Sequence, residues 1–176
     1  MTGAQVRAAR SEDAEAMAHV HVDSWRETYR GVMPDRVLDD PGMLEMRRRF
    51  WATVLADPRF EGTTAVAEEN GRIVGIALAG PSPNAEEDGA AQLYVLYLLH
   101  GHHGSGLGRG LLDAVLDDER PATLWVADPN PRAQAFYRKA GFTADGEEKV
   151  EDGVRELRMI RPAGGASRVS GAPGRG

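Results

Sequence analysis

The sequence predicts a single mixed α/β domain whose sheet has antiparallel and parallel parts. Three observations predict it. Short β-type runs flank Asn70-Gly71 and Asp152-Gly153, dipeptides that mark tight hairpins. A long apolar run, Gln92 to Leu99, reads as a strand buried in the middle of a sheet. Segments with the helical period alternate with these runs, giving the order strand, two helices, three strands, helix, strand, helix, two strands.

Each element has its own signal. Residues 5 to 9 read as a first strand. Ser11 then looks like an N-cap, with Glu12 and Asp13 in the first turn where the helix dipole favours anions. That helix runs to about Tyr29 and stops at Gly31, with Ala14, Met17, Ala18, His21 and Trp25 on its apolar face. Asp40-Pro41 is an N-cap and N1 pair for a second helix. Its stripe is Met43, Met46, Phe50 and Val54, with Leu44, Trp51 and Leu55 beside it. Strands follow over Thr63–Glu69 and Arg72–Leu78, then a polar acidic loop from Pro81 to Gly89 and the central run. A helix from about Leu107 to Asp117 leads to a strand at Ala122–Val126. Asn130-Pro131 opens a further helix, which Gly141 closes as a C′ residue. Glu147–Glu151 and Val154–Ile160 form the last hairpin. Beyond Pro162 the chain is mostly Gly, Ala, Ser and Arg. The expected organisation is therefore a domain over 1–162 and a disordered tail over 163–176.

Composition narrows the function classes. A chain of 176 residues is one domain's worth, and 41% hydrophobic with 27% charged residues is ordinary for a globular protein. There is no cysteine, which excludes disulfides, thiolate metal sites and cysteine nucleophiles. No export signal or membrane-spanning run is visible, so a cytoplasmic protein without a membrane partner is expected. The net charge is −6, and the acid is concentrated in the domain. Without Arg168 and Arg175, 19 basic residues face 27 acidic ones, a balance of −8. That sign argues against a nucleic-acid partner and suits a small cationic substrate.

The segment from Leu98 to Leu112 carries the chemistry. It reads Leu-Leu-His-Gly-His-His-Gly-Ser-Gly-Leu-Gly-Arg-Gly-Leu-Leu, entered by an apolar strand and left by an amphipathic helix. Glycines at 104, 106 and 108 let backbone approach a ligand and turn N–H groups inward, and the helix N-terminus adds partial positive charge. The product is an anion site suited to a pyrophosphate. It is not a dinucleotide fingerprint, because Arg109 stands where the third glycine belongs. Nor is it a P-loop, because no Lys-Ser/Thr pair follows the last glycine. His100, His102 and His103 cluster here, but the loop suits phosphate, and no metal is expected.

A second segment, Asp128 to Phe142, supplies Asn130, Ala133, Phe136, Tyr137, Lys139, Gly141 and Phe142 in the pattern N-x-x-A-x-x-F-Y-x-k-x-G-F. Together the two segments resemble the GNAT superfamily of N-acetyltransferases over roughly residues 5 to 161. The first matches its pyrophosphate loop, Q/R-x-x-G-x-G/A, with His103 at the Gln/Arg position. The resemblance implies a mostly antiparallel sheet of about seven strands with a splayed parallel pair and helices on both faces. It implies acetyl-CoA as cosubstrate, lying between strands that end near Leu98 and Val126. Leu96, Tyr97 and Leu98 would pair with the pantetheine. His103, Gly104, Ser105, Gly106, Leu107, Gly108 and Arg109 would hold the pyrophosphate. Asn130 and Tyr137 would approach the pantetheine and the sulfur, and Tyr137 would protonate the departing thiol. A bulge in the central strand would aim an N–H at the reacting carbonyl, though no bulge is legible.

The base is open. Many relatives place a glutamate on the strand before the loop, whereas this chain has Gln92, Tyr94 and Tyr97 there. Tyr94 is a candidate proton relay through water. Glu86, Glu87 and Asp88 lie just upstream and read equally well as a solvated loop. His19 to Pro34 looks like the corresponding segment of bacterial polyamine and antibiotic acetyltransferases. Trp25 and Tyr29 are therefore expected to touch substrate, while His21 reads as core. The function expected is direct transfer, in a ternary complex, of acetyl from acetyl-CoA to a primary amine of a small cationic molecule. The alternatives are a protein N-terminal acetyltransferase and a non-catalytic acyl-CoA-binding regulatory module. Free-standing chain and homodimer both stay open.

Overall fold

The computed structural model describes residues 3–83 and 89–164. The expected element order is present, with one addition. Its strands are β1 (Gln5–Ala8), β2 (Thr64–Glu69), β3 (Arg72–Pro81), β4 (Ala91–Leu98), β5 (Ala122–Ala127), β6 (Thr143–Glu151) and β7 (Val154–Arg161). Its helices are α1 (Ala14–Tyr29), α2 (Asp35–Leu38), α3 (Met43–Ala56), α4 (Leu107–Val115) and α5 (Pro131–Lys139). The short α2 is the element that sequence pattern misses; four residues are too few to show a period.

Among the described residues the strands form one seven-stranded sheet in the order β1-β2-β3-β4-β5-β7-β6. All neighbours are antiparallel except β4 and β5. Both hairpin turns have the backbone their sequences call for. Asn70 and Gly71 have φ of 51° and 78°, and Asp152 and Gly153 have 51° and 79°, the paired positive values of a type I′ turn. Helices cover both faces. On one, α4 and α5 pack through Leu107, Leu111, Leu112, Tyr137 and Ala140 against Ala67, Ala77 and Leu124. On the other, Met17, Ala18 and Val20 of α1 and Trp51 and Val54 of α3 meet Val66, Ile76 and Val95. A smaller cluster joins Met33, Leu38, Ala127 and Val154, with Trp25 and Tyr29 against it.

Several local expectations are corrected. Ser11 does not cap α1: residues Ser11–Asp13 form a 3-10 turn, and the Asp13 carboxylate accepts from the Arg10 N–H at 2.7 Å while pairing with Arg7 at 2.8 Å. Helix α3 begins at Met43, because Asp40 accepts from the Gly42 N–H at 2.8 Å and closes a turn first. Its buried stripe is Met43, Trp51 and Val54, while Met46 is exposed. In α5 the buried positions are Gln134 and Tyr137, with Ala140 buried just beyond its end, while Ala133 and Phe136 are half-buried. The last hairpin starts earlier than its alternation shows. Strand β6 begins at Thr143 and is interrupted between Ala144 and Glu148, where Gly146 takes φ 91°. Of the expected tail, residues 165–176 lie outside the described residues, as do Glu86, Glu87 and Asp88.

Candidate active site

Two features of β4 open a cleft in the sheet. Parallel pairing with β5 covers only Ala91↔Ala122, Gln92↔Thr123 and Leu93↔Leu124, after which the strands part. At the same level the register with β3 slips: Leu78 faces Val95, but Ala79 faces Leu93. Tyr94 is the extra residue, so β4 carries a β-bulge. The bulge reverses the alternation of sides. Leu93 packs in the α4–α5 cluster, whereas Val95 packs in the α1–α3 cluster.

The cleft so formed has a volume of about 520 Å³. Its floor is Leu96, Tyr97 and Leu98 on β4 and Trp125, Val126 and Ala127 on β5. The glycine loop closes one end. Gly104 and Gly106 have φ of 78° and 87°, values an L side chain resists, and Gly106 occupies the N-cap of α4 without a capping side chain. The first N–H groups of a helix have no intrahelical acceptor, so α4 presents donors to the cleft here. Gly108 faces α5. A Cβ there would stand 3.5 Å from Phe136, an ordinary contact, so a methyl fits and a larger side chain would press on that ring. Ser105 accepts from the Leu107 N–H at 3.3 Å, and Leu107 itself is buried in the core.

His103 lines the cleft, and its Nε2 lies 2.7 Å from the Leu98 carbonyl oxygen. It thereby ties the loop to the end of β4. Burial, with the Arg132 and His100 charges, holds its pKa below the usual histidine value against the Leu98 contact. Two further contacts hold the loop: the Glu27 carboxylate accepts from the His100 N–H at 2.9 Å, and His102 pairs with Glu69 at 3.2 Å. Arg109, Arg132 and Lys139 also line the cleft from α4 and α5; Arg109 pairs with Asp113 at 2.8 Å, and the Arg132 charge reaches His103.

Asn130 is the N-cap of α5, its side-chain oxygen accepting from the Ala133 N–H at 3.1 Å. Its amide NH2 remains for the cleft it lines. Tyr137 lines the cleft from α5, buried between Phe136 and Phe142 with ring centroids 5.3 and 6.0 Å away. Burial, helped by Tyr29, pushes its hydroxyl pKa well above the ordinary tyrosine value. Tyr97 and Tyr29 complete a group of three phenols. Burial raises both, with Tyr29 acting on Tyr97 and the Glu156 charge acting on Tyr29. All three are proton donors, not phenolates, at neutral pH.

The other sequence-derived candidates fall elsewhere. Tyr94 touches the cleft wall, but its exposed hydroxyl donates to the Pro81 carbonyl at 2.6 Å. Trp25 stacks edge-on against Tyr29 with centroids 5.8 Å apart and packs in the third cluster. Among the described residues it is not part of the cleft lining, whereas Tyr29 is. His21 is core, as expected: it is buried and accepts from the Trp51 indole N–H at 3.1 Å. Sequence reading misses Thr28, Trp125, Arg132, Lys139 and Glu156, all of which line the cleft. Lys139 and Arg132 sit inside the second motif and were accessible through it. Glu156 lies outside both motifs and is placed only by strand register.

A strand–loop–helix anion site at the mouth of a splayed parallel pair, with a buried phenol inside, defines an acyl-transfer fold. Residues 9–142 match the model of the acetyltransferase (GNAT) family, and the chain belongs to that family. It is 35% identical over 161 residues to the uncharacterized N-acetyltransferase YuaI of Bacillus subtilis, covering 89% of this chain and 87% of that protein. The PaiA N-acetyltransferase of Thermoplasma acidophilum, solved with coenzyme A, superposes with a TM-score of 0.71 at 19% identity, over 92% of this chain and 99% of that one. The ribosomal-protein-S18-alanine N-acetyltransferase of Escherichia coli superposes with a TM-score of 0.65 at 17% identity, over 96% and 99%. These two likenesses concern the fold. The subtype resemblance to polyamine and antibiotic enzymes is an expectation carried by the segment from His19 to Pro34.

Proposed function

We propose that the chain transfers the acetyl group of acetyl-CoA to a primary amine of a small cationic molecule, directly and within a ternary complex. The observation that carries this reading is the cleft itself. A phosphate-ready loop, a free strand edge and a buried phenol lie along one groove in the order the elongated cosubstrate requires. The residues present fit that group. Beyond Leu93 the β5-facing edge of β4 is released from its partner, which leaves Leu96 to Leu98 for the pantetheine amides. Gly104 to Arg109 would hold the pyrophosphate, with Arg109, Arg132 and Lys139 supplying charge.

When bound, acetyl-CoA supplies the acetyl carbon and a thiol leaving group. The chain's own residues do the rest. The bulge at Tyr94 turns β4 so that the Tyr97 side chain meets that of Tyr29. Tyr137, kept protonated by burial, holds a proton in the cleft for the leaving sulfur. Asn130 fixes the start of α5 and so fixes Tyr137 about two turns along it. No covalent enzyme intermediate is needed, because the chain has no cysteine and the nucleophile is the acceptor amine. The domain would span 1–162, with Trp25 supporting the Tyr29 wall.

The test has two parts. Calorimetry should show acetyl-CoA binding, and a free-thiol release assay over a panel of primary amines should show turnover. Binding without turnover on any amine would favour the non-catalytic reading; turnover only on peptide N-termini would favour the protein-directed one.

A further inference from the structure

The charged residues that line the cleft are divided between its elements by sign. Its cations, Arg109, Arg132 and Lys139, stand on α4 and α5. Across from them, α1 and β7 contribute Thr28, Tyr29 and Glu156, and among the described lining residues Glu156 is the one carboxylate. Strand register sets it there: Glu156 lies opposite Ala127 on β5 and opposite Lys149 on β6. Its side chain is 20% exposed, so it is largely withdrawn from water yet open to the cleft.

The neighbours of Glu156 leave it with charge to spare. Lys149 Nζ is 3.2 Å from Glu156 and 2.5 Å from Glu151, so one ammonium serves two carboxylates and favours the other one. Lys149 also lies over the Trp125 ring, 4.9 Å from its centroid, and Trp125 lines the same cleft. A carboxylate and an aromatic face that already seat one primary ammonium form the chemistry that seats another.

Resting on the acetyl-transfer reading above, we propose that Glu156 is the specificity-determining residue of the acceptor site. It receives the acceptor as a primary ammonium at the α1–β7 end, with Lys149 as a built-in competitor; the ammonium gives one proton to solvent before the neutral amine attacks. The polarity of the cleft then orients both ligands. Phosphate oxyanions are drawn to the α4–α5 end, and the cationic amine is drawn to the end beside Tyr29. Acceptors that carry a carboxylate next to their amine are disfavoured, because they set like charge against Glu156.

The experiment is a calorimetric titration of 1,4-diaminobutane, glycinamide and glycine into the full chain, alone and saturated with coenzyme A. Wild type should bind the two cations in preference to zwitterionic glycine. Glu156→Gln, which preserves volume and strand register, should weaken the cations by roughly tenfold or more, narrow the preference over glycine, and keep coenzyme A affinity. Lys149→Met should do the opposite and tighten the cations several-fold, since it removes the competing charge and frees the Trp125 face. That gain is a result that structural damage does not imitate. Unchanged cation affinity in Glu156→Gln, no cation binding by wild type, or weaker binding in Lys149→Met would overturn the inference. A wild-type chain that fails to bind coenzyme A would instead overturn the acetyl-transfer reading, and titrations on the chain alone would still decide this one.

Discussion

His21 makes the fold acid-sensitive in a window where few other groups act. Its ring is buried against Trp51, Phe50 and Tyr97, and burial first, with the Arg47 charge second, lowers its pKa from 6.5 to about 3. The folded protein therefore keeps it neutral, with Nδ1 accepting from Trp51. The unfolded chain binds a proton there below 6.5. Between those two values the unfolded state holds more protons, so stability is full above about pH 6.5 and falls as pH drops toward 3. From near pH 7 to about pH 5 this one group costs about 2 kcal/mol, taking about 1.4 kcal/mol per pKa unit. With a urea slope of roughly 2 kcal/mol per molar, the unfolding midpoint should fall by about 1 M. The control is His21→Leu. It should lower stability at neutral pH by about 1–3 kcal/mol, because the Trp51 N–H loses its acceptor. It should also lose most of the shift between the two pH values. Urea midpoints for both proteins at both pH values, followed by tryptophan fluorescence, measure the difference. An equal pH shift in wild type and His21→Leu would refute the assignment of a buried neutral imidazole.

Three further outcomes follow from the cleft. Tyr137→Phe should keep the packing against Phe136 and Phe142, and hence the melting temperature, while lowering turnover roughly 10²-fold with acetyl-CoA affinity intact; equal turnover would return the residue to a packing role. Gly108→Ala should be tolerated, since its Cβ would meet Phe136 at 3.5 Å, whereas Gly108→Val should displace that ring and weaken acetyl-CoA binding at least tenfold in a folded protein by calorimetry; unchanged affinity would remove the phosphate role of the loop. Trp25→Ala should lower the melting temperature, by about 3 kcal/mol of stability, more than it changes KM, because the indole packs behind Tyr29; a large KM change at constant stability would put Trp25 in the acceptor site.

Much of this fold was legible because its punctuation is local. Asn70-Gly71, Asp152-Gly153 and Asn130-Pro131 each determine a turn or cap through their own backbone preferences, and each stands where expected. The glycine loop was legible for the same reason. What was not legible depends on pairing between distant segments. The start of β6 is hidden because Asp145-Gly146 reads as a turn, yet Asp145 is held in the sheet by Arg158 at 2.6 Å. Which ring of α5 is buried depends on the angle at which the helix meets β5 and α4. Glu156 carries no motif, and its position follows from the β5–β7 and β6–β7 registers. The bulge is a counting offset between β3 and β4 that neither strand shows by itself.

That offset makes Tyr94 a position whose presence matters more than its identity. Its side chain is exposed and contributes one surface hydrogen bond, so many residue types would serve there. Its removal would be another matter. Side chains in a strand alternate between two directions, and Tyr94 is the added step that changes odd positions into even ones. Shortening β4 by that single residue would exchange the two sets of side chains over the rest of the strand, turning Tyr97 away from Tyr29 and sending Leu96 and Leu98 toward α1. The site is therefore guarded by parity: it absorbs substitutions at this point freely and has no intermediate tolerance for a change in length.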